Sequence, residues 1–190
     1  MHRSQLVLLL RLAYSGELGA ARAYAGHRFS LRDRGQRADI GRILREELRH
    51  RHCILRMLRA LGATPDPWRE RKMDRVGRAI SLFCRVGGWF FPMYGAALLE
   101  SQNIREYEQA ARLAYAAGRG EMVEDLLEMA DVEWDHERWF RTHAASHWLW
   151  RWVPHWPEPP SRGTIRESFT AFAASGEKCV EPVRVPWLVR

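Results

Sequence analysis

Two half-sets of the same side chains constrain this chain more than any other feature. Glu17 is followed, after a turn, by Glu47-Leu48-Arg49-His50, and Glu100 by Glu133-Trp134-Asp135-His136. Each half therefore offers a lone glutamate on one predicted helix and a Glu-x-x-His on the next, with similar spacing. Side chains three apart on a helix lie one turn above each other on the same face, so the Glu and His of each motif can reach one common point. A Glu from each of two helices and a Glu-x-x-His from each of the other two is a ligand set that four-helix bundles use for two metal ions.

The apolar periodicity puts these residues indoors. One stripe runs Leu6, Leu10, Ala13, Glu17, Ala20, Tyr24, and a second runs Ile40, Ile43, Glu47, His50, Ile54, Met57, Leu61. A third runs Met93, Ala96, Glu100, Asn103, Tyr107, Ala110, Ala114, and a fourth Met122, Leu126, Met129, Glu133, His136, Phe140, His143. Steps of three and four keep one helical face toward a core. Breaks at Asp33-Arg34-Gly35, at Gly62 with Pro65-Asp66-Pro67, and at Ala117-Gly118-Arg119-Gly120 separate the four segments. Pro92 suits a first helical turn, where its missing N–H costs little. The spacing predicts two antiparallel helix pairs joined by one long crossover, Gly62 to Phe91, within a bundle of residues 1–147. Residues 148–190, rich in tryptophan and proline, form an extension that packs over the bundle or meets a partner.

Four carboxylates and two imidazoles facing one another would be costly without compensation, because like charges resist burial together. Two divalent cations, iron with manganese as the alternative, would neutralise the carboxylates and leave the imidazoles as neutral ligands. A single Glu-x-x-His arises readily by chance, but two on core stripes, each behind a striped Glu, do not. The competing reading, core carboxylates ion-paired with buried arginines, needs Arg or Lys in the stripes, and there is none. Glu17, Glu47 and His50 are thus expected to serve one half of a dinuclear centre, and Glu100, Glu133 and His136 the other. The lone glutamates are free to bridge or to complete it. Tyr24 and Tyr107 each follow a lone Glu by two turns; they either support its carboxylate or are core aromatics. Glu46 either orients a ligand imidazole or is solvated. His27, His52, His143 and His147 read as structural or exposed.

Composition sets outer limits. The chain has 190 residues, 46% of them hydrophobic, which suits one domain with a substantial core. Three widely spaced cysteines without a Cys-x-x-Cys fit a reducing compartment and supply no thiolate metal site. The apolar run Leu6 to Leu10 is too short for a signal peptide and is interrupted by Arg11, and the uncharged stretch Val86 to Leu99 is too short to span a bilayer. The expectation is a cytoplasmic protein, soluble or peripheral to the inner face of the membrane. The net charge of +7 favours an anionic surface, phospholipid or nucleic acid. Ile80-Ser-Leu-Phe83 and Val86 to Tyr94, beside Arg75, Arg78 and Arg85, have the composition of an interfacial membrane contact, or of a surface buried on the bundle or in a homodimer.

The ligand segments resemble the ferritin-like superfamily, most closely its demethoxyubiquinone hydroxylase branch. The residues that carry the resemblance are Tyr14 to Gly26 around Glu17, Glu47-x-x-His50, Glu100 followed by Tyr107, and Asp131-Val-Glu133-Trp-Asp-His136. It covers roughly residues 5 to 145. His27 stands where that family tends to have Gln, and residues 148 to 190 have no counterpart in it. The resemblance implies a ferritin-like fold and a non-haem di-iron centre that activates dioxygen to hydroxylate a quinone ring, with electrons from an external donor and a lipid-soluble substrate. Ferroxidase or peroxidase-type iron handling, a metal-stabilised helical module without catalysis, and hydroxylation of a nucleic acid are the competing expectations.

Overall fold

The computed structural model describes residues 1–176, and all regular structure among them is helical. Cys179 and the Val185-Pro186-Trp187 end of the extension lie outside the described residues. The four striped segments become α1 (His2–Ser30), α2 (Arg34–Ala60), α4 (Phe90–Ala116) and α5 (Val123–Ala145). Between the pairs, most of the crossover is itself a helix, α3 (Pro67–Val86), and the extension contributes a 3-10 segment, Trp148–Trp152, and α6 (Arg162–Ala174). No helix among the described residues is long and apolar enough to cross a membrane.

The helix ends follow from local chemistry. Asp33 caps α2 by accepting from Gln36 N at 2.8 Å, and Asp66 caps α3 by accepting from Trp68 N at 2.9 Å, with Pro67 in the first turn. At the far ends of α2 and α4 the chain reverses through glycines in the left-handed region, Gly62 (φ 62°) and Gly118 (φ 71°). There Ala63 N bonds to Leu58 O and Arg119 N to Ala114 O, both at 2.8 Å, satisfying carbonyls the helices leave open.

α1 packs against α2, α3 and α4, α4 against α5, and α2 meets α5 across the bundle. Their shared interior holds two separate apolar cores. One gathers Leu6, Leu9, Leu10, Ile54, Leu58, Leu113 and Leu126; the other gathers Ala20, Tyr24, Ile40, Ile43, Met93 and Phe140. Along every one of the four helices the polar stripe residues fall between these two cores. Each fully buried Leu, Ile or Phe contributes about 1.5–3 kcal/mol, so the two cores clamp a polar layer that has no apolar reason to be buried.

α3 is held differently. Only Gly77 and Cys84 of its twenty residues are buried, and it lies on α1 along a seam of small residues. A Cβ on Gly77 would come within 2.6 Å of Gly19 O and 2.7 Å of Arg22 Cβ, and one on Gly26 would overlap Ser81, so glycine sets this approach. The extension returns over the bundle: Ile165 of α6 is buried in the first core, and Arg166 Nε reaches Asp131 Oδ2 of α5 at 3.0 Å.

Candidate metal centre

All six stripe residues meet in the gap between the two cores, and all six are buried. Glu17 comes from α1, Glu47 and His50 from α2, Glu100 from α4, and Glu133 and His136 from α5. Their ligand atoms form two overlapping quartets, each with all atoms within 4.8 Å of one another. One is Glu17, Glu47, His50 and Glu133; the other is Glu47, Glu100, Glu133 and His136. Glu47 and Glu133 belong to both.

Each quartet contains one sequence half whole, Glu17 with Glu47 and His50 or Glu100 with Glu133 and His136, and adds the Glu-x-x-His glutamate of the other half. The lone glutamates take the outer positions, and the glutamates of the two Glu-x-x-His motifs are shared. The reason lies in the contact of α2 with α5, which sets Glu47 against Glu133 in the middle of the layer. His136 Nδ1 lies 3.1 Å from Glu133 Oε2 and 3.2 Å from Glu47 Oε1, while His50 Nδ1 lies 3.0 Å from Glu133 Oε1. Spacing along one chain cannot show which side chains meet across a bundle.

The supporting residues are arranged crosswise. Tyr24 of α1 donates a hydrogen bond to Glu100 of α4, and Tyr107 of α4 donates one to Glu17 of α1. Each tyrosine thus steadies the outer carboxylate of the opposite half. Asn103 Nδ2 also donates to Glu100 Oε2 at 2.7 Å. Glu46 Oε2 sits 2.8 Å from His136 Nε2 and is itself held by Arg42 Nη1 at 2.9 Å. Burial opposes a charge on His136, but its hydrogen bonds to Glu133, Glu46 and Glu47 hold its pKa well above the usual value; the Glu46 contact at Nε2 leaves Nδ1 as the nitrogen a metal ion would take. His50 is fixed otherwise: its ring meets Tyr107 edge-on at 5.9 Å, and it borders an open cleft of about 470 Å³ between α2 and α5.

The electrostatics are those of carboxylates crowded together out of water. Burial, and then the neighbouring carboxylates, push Glu17 and Glu100 well above the usual range and Glu47 up to about 7. Burial also raises Glu133, and it lowers His50. Glu46 goes the other way: burial opposes its ionisation, but His136 and Arg42 hold it at about 2. No arginine or lysine is among the principal charges acting on the four buried glutamates, so the ion-pair alternative finds no support. Glu47 Oε2 and Glu17 Oε2 are buried without a hydrogen-bond partner. Orphaned carboxylate oxygens aimed into a shared layer are ordinarily costly, and a bound metal ion would satisfy them. Oxygen-rich ligation with one imidazole per ion fits divalent iron or manganese.

An apolar cavity of about 140 Å³ reaches this layer from the α1–α3–α4 side. Leu12, Ala20, Met73, Val76 and Ile80 line it, and it ends on Glu17 and Tyr107. Its polar strip is Gln102, Asn103 and Glu106, the last pushed up to about 7 by burial.

Sequence reasoning missed the burial of Glu137 and Asp131, and left His27 as structural or exposed where it is buried. Glu137 is buried against Arg141, whose Nε lies 2.6 Å from its Oε1, and Trp156 Nε1 joins the same oxygen at 3.1 Å, fastening the extension to α5. The i,i+4 spacing of Glu137 and Arg141 was a usable signal; the tryptophan partner was not. Asp131 is buried under α6. His27 is buried with neither ring nitrogen hydrogen-bonded, stacked on Phe140 at 6.1 Å. Burial lowers its pKa from 6.5 to about 4. The unfolded chain therefore takes up this proton first, and folding loses stability from this group as pH falls from 6.5 to about 4. The full effect is about 3 kcal/mol. Urea unfolding of wild type and His27→Phe at pH 7.5 and 4.5 should show the variant losing less stability by roughly that amount; equal losses would mean that His27 finds a partner.

Comparison of the chain with protein-family models, with curated protein sequences and with solved structures returned no match.

Proposed function

We propose that this chain is a ferritin-like, dinuclear iron or manganese oxidoreductase that activates dioxygen and hydroxylates an apolar organic substrate, in the manner of the quinone hydroxylases its ligand motifs resemble. The observation that carries the reading is the pair of buried quartets sharing Glu47 and Glu133. Glu17 and His50 complete one position, Glu100 and His136 the other. When bound, the two ions would supply dioxygen reduction, with two electrons from an external donor and two protons giving one hydroxylated product and one water.

The protein's own residues have separable tasks. The shared glutamates hold the two positions together, and the crosswise tyrosines keep Glu17 and Glu100 aimed at them. Glu46 fixes His136, and the two apolar cores exclude bulk water. The cavity ending on Glu17 gives an apolar molecule a route to the layer, which favours an organic substrate over iron storage or oxidation for its own sake. The open cleft beside His50 lies on the opposite side and suits approach of an electron donor.

Oxygen uptake tests the reading. Protein loaded anaerobically with Fe²⁺ and supplied with excess reductant and a short-chain quinone should consume dioxygen and release hydroxylated quinone. Ala20→Phe, which narrows the cavity without touching a ligand, should lower hydroxylation at least tenfold while metal content is kept. Loaded protein that takes up no oxygen would leave the metal a structural role; uptake without hydroxylation of quinones would leave the substrate class wrong.

A further inference from the structure

The cavity between α1, α3 and α4 holds two polar side chains that the fold leaves without work. Gln102 and Glu106 lie one turn apart on the same face of α4, and both line the cavity. Among the described residues neither has a hydrogen-bond or ion-pair partner, and they do not bond to each other. Asn103, the third polar side chain of the strip, is engaged with Glu100. Burial opposes ionisation of Glu106, and the charge of Arg69 on α3 favours it.

The size of the cavity narrows what can meet that pair. About 140 Å³ is room for one six-membered ring, and an apolar void of nearly this volume takes up benzene. Small residues of α1 make the room: Gly16, Ala20 and Ala23 line it, and a Cβ placed on Gly16 would meet nothing within 4 Å. Met73 and Val76 of α3 form another wall, and Ile80, exposed on the same helix, marks the mouth. A carboxyl and an amide set in such a wall are costly unless a ligand satisfies them.

We infer that this cavity is a recognition site for a phenolic ring, whose hydroxyl donates to the Glu106 carboxylate and accepts from Gln102 Nε2. The donor set singles out that chemistry. A carboxylate only accepts, so the ligand must bring an O–H or N–H. The Gln102 amide then needs an acceptor on the same group. A phenol oxygen supplies one; an aniline nitrogen, its lone pair drawn into the ring, does not. A ring with no polar group would leave both side chains unsatisfied, which is how sites built for a hydroxyl reject analogues that lack it. Held there, the ring occupies the space that ends on Glu17 and Tyr107. As a choice of substrate the inference rests on the oxidoreductase reading; as a statement about binding it needs neither metal nor dioxygen.

Calorimetric titration of full-length, chelator-treated protein at pH 8 with phenol, and with toluene as a ring of the same size, tests it. Wild type should bind phenol at least tenfold more tightly than toluene, against the order that hydrophobicity alone dictates. Glu106→Leu should weaken phenol at least tenfold, with toluene bound as well as before or better and helicity unchanged. Gln102→Leu should weaken phenol several-fold in the same one-sided way, and it serves as the test should Glu106→Leu fail to fold. Toluene bound by wild type as tightly as phenol, binding of neither ring, or equal loss of both rings in the variants overturns the proposal. Phenol that binds this protein but emerges unchanged from the Fe²⁺-loaded form with dioxygen and reductant would sink the oxidoreductase reading and uphold the recognition.

Discussion

Glu47→Ala or Glu133→Ala should empty both metal positions, whereas Glu17→Ala or Glu100→Ala should empty one. The asymmetry follows from which carboxylates are shared. Removing Glu47 takes a ligand from each quartet at once and leaves Glu133 as the one carboxylate common to both. Removing Glu17 leaves its position with Glu47, His50 and Glu133 but does not touch the Glu47, Glu100, Glu133, His136 quartet. Elemental analysis of purified protein should give about two ions per chain for wild type, near zero for the Glu47 and Glu133 variants, and about one for the Glu17 and Glu100 variants, as expected for two positions with four protein ligands each. Were Glu47 and Glu133 each confined to one position, Glu47→Ala and Glu100→Ala would each cost one ion, and the four variants would be indistinguishable. Both outcomes are read from the same measurement.

The second large effect concerns stability. In metal-free protein the four glutamates have raised pKa values, so the folded state keeps protons that the unfolded chain releases. Stability from these groups is fully present below their ordinary value of 4.5 and is lost as pH rises through the raised values, about 7 for Glu47. At neutral pH metal-free wild type therefore carries uncompensated polar burial. Glu47→Leu/Glu133→Leu should be more stable than metal-free wild type by about 1–4 kcal/mol, as when other buried polar clusters are replaced by apolar ones. Metal reverses the order: ions at a hundredfold over their dissociation constant add about 2.7 kcal/mol per site to wild type and nothing to the variant. Thermal unfolding of the two proteins, with chelator and with Mn²⁺, distinguishes these cases. A metal-free wild type as stable as the leucine variant, and indifferent to Mn²⁺, would mean that the polar layer is satisfied without metal.

What could be read ahead of the structure depended on how each feature is encoded. The burial and clustering of the six Glu and His residues were legible because helical spacing ties each of them to a core stripe, and the stripes on α1, α2, α4 and α5 are long. The support from Tyr24 and Tyr107 was half-legible: seven residues places each tyrosine on the correct face, but only the antiparallel register of α1 and α4 shows that each serves the opposite glutamate. Sharing by Glu47 and Glu133 was not legible, because it depends on how α2 meets α5. α3 escaped notice as a helix since its packing uses glycine and cysteine rather than an apolar stripe. The role of Trp156 was hidden for a related reason: its partner Glu137 lies just off the stripe, and the loop that joins them has no period.

Two ions that share Glu47 and Glu133 in one buried layer would be magnetically coupled. Mössbauer spectroscopy of protein loaded anaerobically with ⁵⁷Fe²⁺ and then oxidised should therefore show two iron atoms per chain with coupled spins. Iron that binds as isolated, uncoupled ions, or that fails to bind while the protein stays folded, would contradict that sharing.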